Sequence, residues 1–129
     1  MPRNSAPPPD PTESELAILQ VLWRRGPSSV REVWSQLGET SGYTTVLKFL
    51  QIMLEKGLVR RDERAQSHIY QAAVAETPTQ EKAVHRLIER VFGGSTSQLV
   101  LRALSAKPIS AKELKELRDL LAEKERGKK

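Results

Sequence analysis

Apolar residues between Gly42 and Gly57 recur at helical spacing and predict one amphipathic helix with a single buried stripe. Gly57 is a typical helix terminator, because glycine adopts the left-handed conformation without strain. Leu58 and Val59 then favour an extended chain. The predicted stripe consists of Val46, Phe49, Leu50, Met53 and Leu54, and the opposite face carries Thr45, Lys48, Gln51 and Glu55.

Two β-prone runs, residues 58–62 and 68–72, predict a hairpin directly after this helix, with the polar residues 63–67 at its tip. A helix with small polar residues at its exposed N-terminal end, followed by a two-stranded ribbon, is typical of a winged helix that presents its reading helix to DNA. The alternative is an ordinary hairpin, because Asp62 and Glu63 partly cancel its arginines. Those arginines are Arg60, Arg61 and Arg64.

The same periodicity predicts two helices before the reading helix. Thr12 and Glu15 form a capping box for the first, which stops at Gly26. Residues 28–29 favour a short strand or a cap before the second, whose apolar pattern runs from Val30 to Leu37.

Three further helices are predicted after the wing. Thr77 is the expected cap of the first, residues 93–94 end it, and Pro108 separates the other two. A second capping box starts the last helix at Ser110, and we expect that helix to fray over residues 123–129.

These elements predict a mainly α fold with a small β-hairpin wing. We expect a disordered proline-rich tail at residues 1–11, a winged-helix domain at residues 12–76 and a helical dimerisation region at residues 77–129. The last region has too little chain for a core of its own, so its leucines either fold back on the winged helix or pack on a second copy. We favour a homodimer through Leu87, Val91, Phe92, Leu99, Val100, Leu104, Leu114, Leu117, Leu120 and Leu121.

Composition narrows the function classes. The chain has no cysteine and only two histidines, which predicts no disulfide, no metal site and no cofactor. No apolar run approaches the roughly 20 residues of a membrane span, and the N-terminus does not resemble a signal peptide, so we expect a cytoplasmic protein without membrane insertion. No catalytic motif is recognisable, which argues against an enzyme.

The positive charge is unevenly distributed. Residues 1–77 hold nine basic and nine acidic side chains, whereas residues 78–129 hold twelve and seven, which accounts for the net charge of +5. Cations in the predicted DNA-reading half must therefore act by position and not by bulk field. The candidate DNA-binding residues are Ser28, Ser29, Tyr43, Thr44, Thr45, Leu47, Lys48, Gln51, Arg60, Arg61 and Arg64. Thr44 or Thr45 could instead cap the helix.

Several segments resemble the penicillinase repressor family, the BlaI, MecI and CopY group: residues 15–23, 43–47, 50–51, 55–59, 92–94, 99–100 and 113–117. The similarity spans residues 12 to 121. It implies a homodimeric bacterial repressor that binds double-stranded palindromic operator DNA and controls a resistance or stress operon. It also implies release by cleavage between the dimerisation helices, triggered by a membrane sensor metalloprotease.

The chain departs from the family pattern at three points. The staphylococcal repressors are cut at an Asn-Phe bond, and the aligned bond here joins Arg102 and Ala103, so cleavage there requires a protease of different preference. The cysteines of the copper-responsive branch are missing, and Ile52 replaces a common arginine.

Two rival functions are a winged helix that docks a protein and a repressor gated by a small ligand.

Overall fold

A computed structural model describes residues 8–64 and 66–127, and within them it contains six helices and three short strands. The strands form one antiparallel sheet in the order β1-β3-β2. This architecture confirms the predicted fold class, mainly α with a small hairpin. The elements are α1 (Glu13–Arg25), β1 (Ser28–Ser29), α2 (Val30–Gln36), α3 (Tyr43–Lys56), β2 (Val59–Asp62), β3 (Ile69–Ala72), α4 (Glu76–Val91), α5 (Thr96–Ala106) and α6 (Ala111–Arg126).

Local capping chemistry starts α1, α2 and α6 where the sequence predicts it. The Glu15 amide donates to the Thr12 hydroxyl and the Thr12 amide donates to the Glu15 carboxylate, which together satisfy two amides at the start of α1. Ser29 caps α2 in the same way while it also belongs to β1. Ser110 does so for α6. At the end of α3, Gly57 adopts φ of 85°, which favours glycine.

The core lies between α1, α2, α3 and the sheet. Tyr70 of β3 and Val59 of β2 cover the apolar faces of the three helices. Two members of the predicted stripe of α3, Phe49 and Leu54, lie at the edge of this core and are only half-buried. The buried cluster comprises Ile18, Leu19, Val21, Leu22, Val30, Val33, Val46, Leu50, Met53, Leu58, Val59 and Tyr70.

The chain divides into two compact units between Ala83 and Val84, within α4. The predicted cap of α4 is wrong: the helix starts at Glu76, so Thr77 lies inside its first turn. The predicted fraying of the last helix is also wrong, because α6 continues to Arg126. Basic side chains in its last turn favour that continuation through the helix dipole.

The predicted disordered tail falls mostly on residues 1–7, which lie outside the described residues. Residues 8–11 are described and form neither helix nor strand. The Pro8 ring lies 4.0 Å from the position that a Cβ on Gly57 would take, so this segment passes beside the end of α3.

Candidate DNA-binding surface

Burial of one side of α3 determines which of its residues face outwards. Val46, Leu50 and Met53 are completely buried in the core. Because a helix turns about 100° per residue, the opposite side is left to solvent. Four of the predicted DNA-binding residues are exposed on that side: Thr44, Thr45, Lys48 and Gln51. A fifth, Leu47, is half-buried against the core.

The N-terminus of α3 has no side-chain cap. Gly42 is the N-cap residue and no side chain accepts from the first amides. The alternative in which Thr44 or Thr45 caps the helix is therefore wrong. Both residues lie in the first turn of α3, and neither hydroxyl accepts a capping hydrogen bond.

Aromatic packing holds the start of α3 against α2. The Trp34 indole donates to the carbonyl of Ser41 at 2.7 Å, which anchors the loop between the two helices. The Tyr43 ring meets Trp34 edge to face, with the ring centroids 6.0 Å apart. The guanidinium of Arg31 lies 5.5 Å from the centre of the Tyr43 ring. Arg31 thus joins the candidate surface, and only the packing of α2 on α3 identifies it.

A buried ion pair holds the other end of α3. The Lys56 ammonium donates to both carboxylate oxygens of Glu15, at 3.0 and 2.8 Å. The Glu15 side chain is 3% exposed and the Lys56 side chain 28%. Since Glu15 belongs to the first turn of α1, this contact positions α3 relative to α1.

Ser28 is a wrong prediction as a DNA contact. The residue is 0% exposed, its hydroxyl donates to the Gly26 carbonyl at 2.8 Å, and it accepts from Arg25 at 3.1 Å. Pairing of β1 with β3 places Ser28 opposite the buried Tyr70, which explains the burial.

Ser29 stays a prediction. Its oxygen accepts the Glu32 amide, its own amide donates to the Glu32 carboxylate, and its side chain contributes a further hydrogen bond to that carboxylate. Those contacts also lower the pKa of Glu32, first through the Ser29 amide and then through the Arg25 charge.

The hairpin places its arginines on different faces. Arg60 and Arg61 are neighbours on β2 and therefore point to opposite sides of the ribbon. Arg60 is exposed, whereas the Arg61 side chain is 24% exposed. Hydrogen bonds to the Tyr70 hydroxyl and to Glu63 raise the pKa of Arg61. Arg61 is thus held by the ribbon itself.

Arg64, at the tip, is paired as well. Its Nε and Nη2 donate to the two carboxylate oxygens of Asp62 at 3.0 and 2.8 Å, and its amide donates to Asp62 Oδ1 at 3.0 Å. These bonds from Arg64 lower the pKa of Asp62 to about 2. Bonds from Arg61 lower the pKa of Glu63. Both carboxylates are therefore ionised at neutral pH.

The predicted dimerisation residues all belong to the second unit. None of residues 84–127 is buried within the single chain. Phe92 follows the end of α4, and Phe92 and Leu99 are half-buried. The exposed predicted residues are Leu87, Val91, Val100, Leu104, Leu114, Leu117, Leu120 and Leu121. Val84 and Leu101, which were not predicted, are exposed apolar residues of the same unit.

The candidate cleavage bond lies within a helix. Arg102 and Ala103 are exposed residues in the middle of α5. Proteases act on extended chain, so cutting here requires local opening of α5.

The described part of the chain shows neither a metal-binding cluster nor a membrane span. It contains no cluster of three or more histidine or carboxylate side chains arranged to bind a metal ion. None of its helices combines the length and apolar character needed to cross a membrane.

The chain is similar to known proteins over most of its length. The penicillinase repressor family matches residues 11–123. The penicillinase repressor of Bacillus licheniformis is 25% identical over 123 residues, covering 94% of this chain and 96% of the relative. Methicillin resistance regulatory protein MecI of Staphylococcus aureus strain N315 is 21% identical over 115 residues, covering 88% and 94%.

Among solved structures, the transcriptional regulator Tm0710 from Thermotoga maritima is 23% identical, with a TM-score of 0.47 and coverage of 89% of this chain and 77% of that chain. The family match alone spans well over half of the chain. This chain therefore belongs to the penicillinase repressor family, a family of DNA-binding transcriptional repressors and not of enzymes.

Proposed function

We propose that this repressor binds a palindromic operator as a homodimer and reads it with α3 of each subunit. The observation that carries the proposal is the exposed polar face of α3, held at both ends by contacts to the rest of the first unit. Such a helix, followed by a ribbon, fits the major groove while the ribbon lies along the backbone.

Each side chain of this face suits one kind of contact. Thr44 and Thr45 reach phosphate oxygens or base edges from the first turn, together with the Tyr43 hydroxyl. Lys48 recognises guanine or a phosphate, and Gln51 reads adenine. Leu47 contacts a thymine methyl, and Arg31, Arg60, Arg61, Arg64 and Ser29 are assigned to the DNA backbone.

Exposed leucines on the second unit support the homodimer. Apolar side chains recur at helical spacing along α6, and none of them is buried within the single chain. An apolar surface of this extent on a small helical unit is stable in water only when a partner covers it. A second copy also places two reading helices about one helical turn apart, as a palindrome requires.

The proposal extends to the genes that the repressor controls and to the way it is released from DNA. The resemblance supports a resistance or stress operon in a bacterial cytoplasm and release through a membrane sensor metalloprotease. Cleavage at Arg102–Ala103 would cut the dimerisation region within α5. Mass spectrometry of the repressor from induced and uninduced cells tests this step, and an intact chain in induced, derepressed cells would reject it.

The central test is fluorescence anisotropy with duplexes that tile the promoter of the repressor's own gene. We expect one duplex to bind far more tightly than the others, with a strong dependence on salt. Lys48→Ala should weaken that complex by about 1–3 kcal/mol if the contact is to a base. Lys124→Ala removes an equally exposed lysine from α6 and is the matched control.

A protein-docking winged helix is the second candidate, because residues 1–77 have no net charge and two wing arginines are already paired. Binding no tighter to any promoter duplex than to unrelated DNA, and equal for Lys48→Ala and Lys124→Ala, would favour it. The gated repressor would instead bind DNA and lose that binding when a small molecule is added.

A further inference from the structure

The tip of the wing pairs two of its arginines with carboxylates two residues away in sequence. Arg61 donates through Nε to Glu63 at 2.9 Å, and Arg64 forms a two-bond pair with Asp62. Both carboxylates are accessible to solvent, with the Asp62 side chain 43% and the Glu63 side chain 57% exposed, and Arg64 is 91% exposed whereas Arg61 is 24% exposed. Arg61 also bonds the Tyr70 hydroxyl and Asp62 accepts the Arg64 amide, but neither contact requires the negative charges of Asp62 and Glu63, so those charges call for another explanation.

The pairs leave the wing nearly neutral. Residues 58–72 carry three arginines and two carboxylates, a net charge of +1 with His68 neutral. Of the three, Arg60 forms no ion pair within the part of the chain that the structure describes. A wing built to grip phosphates in bulk would present all three guanidiniums to the DNA.

We propose that Asp62 and Glu63 are specificity determinants: they keep the wing from binding DNA irrespective of sequence and so leave discrimination to α3. This inference rests on the proposed function. Sequence-independent affinity comes almost entirely from cations that displace counterions at phosphates. The carboxylates beside Arg61 and Arg64 cancel that gain, and they repel the phosphates that these two arginines would reach.

Operator binding is less sensitive to these charges than binding to unrelated DNA. Base contacts by α3 hold the wing at one position on the operator. On unrelated DNA no base contact fixes the orientation, so the wing can approach the phosphates more closely and a tip charge acts there at a shorter distance. Because a genome offers a vast excess of unrelated sites, a repressor gains occupancy of its operator when its sequence-independent affinity is low.

Neutral isosteres can separate this charge effect from a structural one. Asp62 Oδ1 also accepts the Arg64 amide, which stabilises the turn at the tip. Asparagine keeps that acceptor, so Asp62→Asn removes the charge and preserves the turn. Glu63→Gln likewise keeps an acceptor for Arg61. Asp119→Asn is the matched control, because Asp119 forms an exposed pair with Lys115 on α6 and the net charge changes equally.

The experiment is an anisotropy titration of the full chain on two duplexes between about 50 and 200 mM salt. One duplex has an unrelated sequence, and the other is selected by the wild-type protein from a random pool. We expect Asp62→Asn and Glu63→Gln each to bind the unrelated duplex about threefold to tenfold more tightly, with a salt slope steeper by about one unit. The gain on the selected duplex should be smaller, so the ratio of the two affinities falls.

Three results overturn the inference while wild-type binding to DNA is intact. The variants could match Asp119→Asn, they could tighten on both duplexes equally, or they could bind more weakly because the carboxylates support the wing. A wild-type chain that binds no duplex in a salt-dependent way would instead overturn the proposed function.

Discussion

The helices of the first unit enclose a core, whereas the helices of the second unit expose their leucines. Leu50 of α3 is 0% exposed and Leu121 of α6 is 62% exposed, although both belong to regular amphipathic patterns. The same spacing therefore marks a buried stripe in one unit and an uncovered one in the other. Periodicity tells which side of a helix needs covering, and only the surrounding chain decides whether it is covered.

The largest expected effect lies in the core of the first unit. Leu50→Ala should lower the free energy of unfolding by about 2–5 kcal/mol, because it leaves a cavity among buried side chains. Leu120→Ala makes the same change at an exposed position of α6 and should cost less than about 1 kcal/mol at protein concentrations where the chain is monomeric. Chemical denaturation of both variants measures this, and equal losses would contradict the distinction between the units.

Breaking an ion pair should likewise cost more free energy of unfolding in the first unit than in the second. Lys56→Met leaves the buried Glu15 carboxylate without its partner and should cost about 2–3 kcal/mol, at or below the low end for buried pairs because Lys56 is partly solvated. Lys115→Met breaks an exposed pair of similar length on α6 and should cost about 0–0.5 kcal/mol.

A second substitution checks the cause of the Lys56 effect. Glu15→Gln added to Lys56→Met should recover part of the loss, because the unpaired buried charge is then gone. Glutamine still accepts the Thr12 amide in the capping box, so a double variant no more stable than Lys56→Met alone would show that the unpaired charge is not the cause of the loss. Denaturation melts of the three proteins decide between these causes.

The exposed leucines of the second unit should matter for association. Leu121→Ala should raise the dissociation constant of the homodimer about tenfold, since each subunit loses apolar contact area. Sedimentation velocity over a concentration series measures the change, and Arg118→Ala on the same helix is a polar control. A chain that is monomeric at every concentration before any substitution would reject the dimer.

The smallest effects concern the wing. Arg60→Ala should reduce the salt slope of binding to unrelated DNA by about one unit, because Arg60 is exposed and forms no ion pair in the described residues. Arg61→Ala should reduce it by less, since Glu63 and Tyr70 already hold that guanidinium. A larger effect for Arg61 would mean that its intramolecular contacts break on DNA.

Much of the fold follows from local signals in the sequence. Capping boxes and terminal glycines mark the ends of helices because they satisfy backbone groups within a few residues of chain. The exposed face of α3 is equally predictable, because its apolar residues define the opposite side. Thr77 shows the limit: proline is tolerated in the first turn of a helix, so α4 starts at Glu76, two residues before the start that a cap at Thr77 indicates.

Local signals could not predict the contacts between segments that are far apart in the sequence. Ser28 is a polar residue of a type that is usually exposed, yet pairing of β1 with β3 buries it. Arg31 has no distinguishing sequence signal, and it joins the candidate surface because α2 packs against the start of α3. The ion pair of Glu15 with Lys56 links residues 41 positions apart.

The sequence by itself determined the order of the helices, the hairpin, the exposed polar face of α3 and membership in a family of repressors. These depend on periodicity, capping and residue type, which act over one or two helical turns. The tertiary structure alone decided which polar residues are accessible, which arginines are already paired and which leucines remain uncovered. Those properties depend on what distant parts of the chain place beside each side chain, and no local pattern records it.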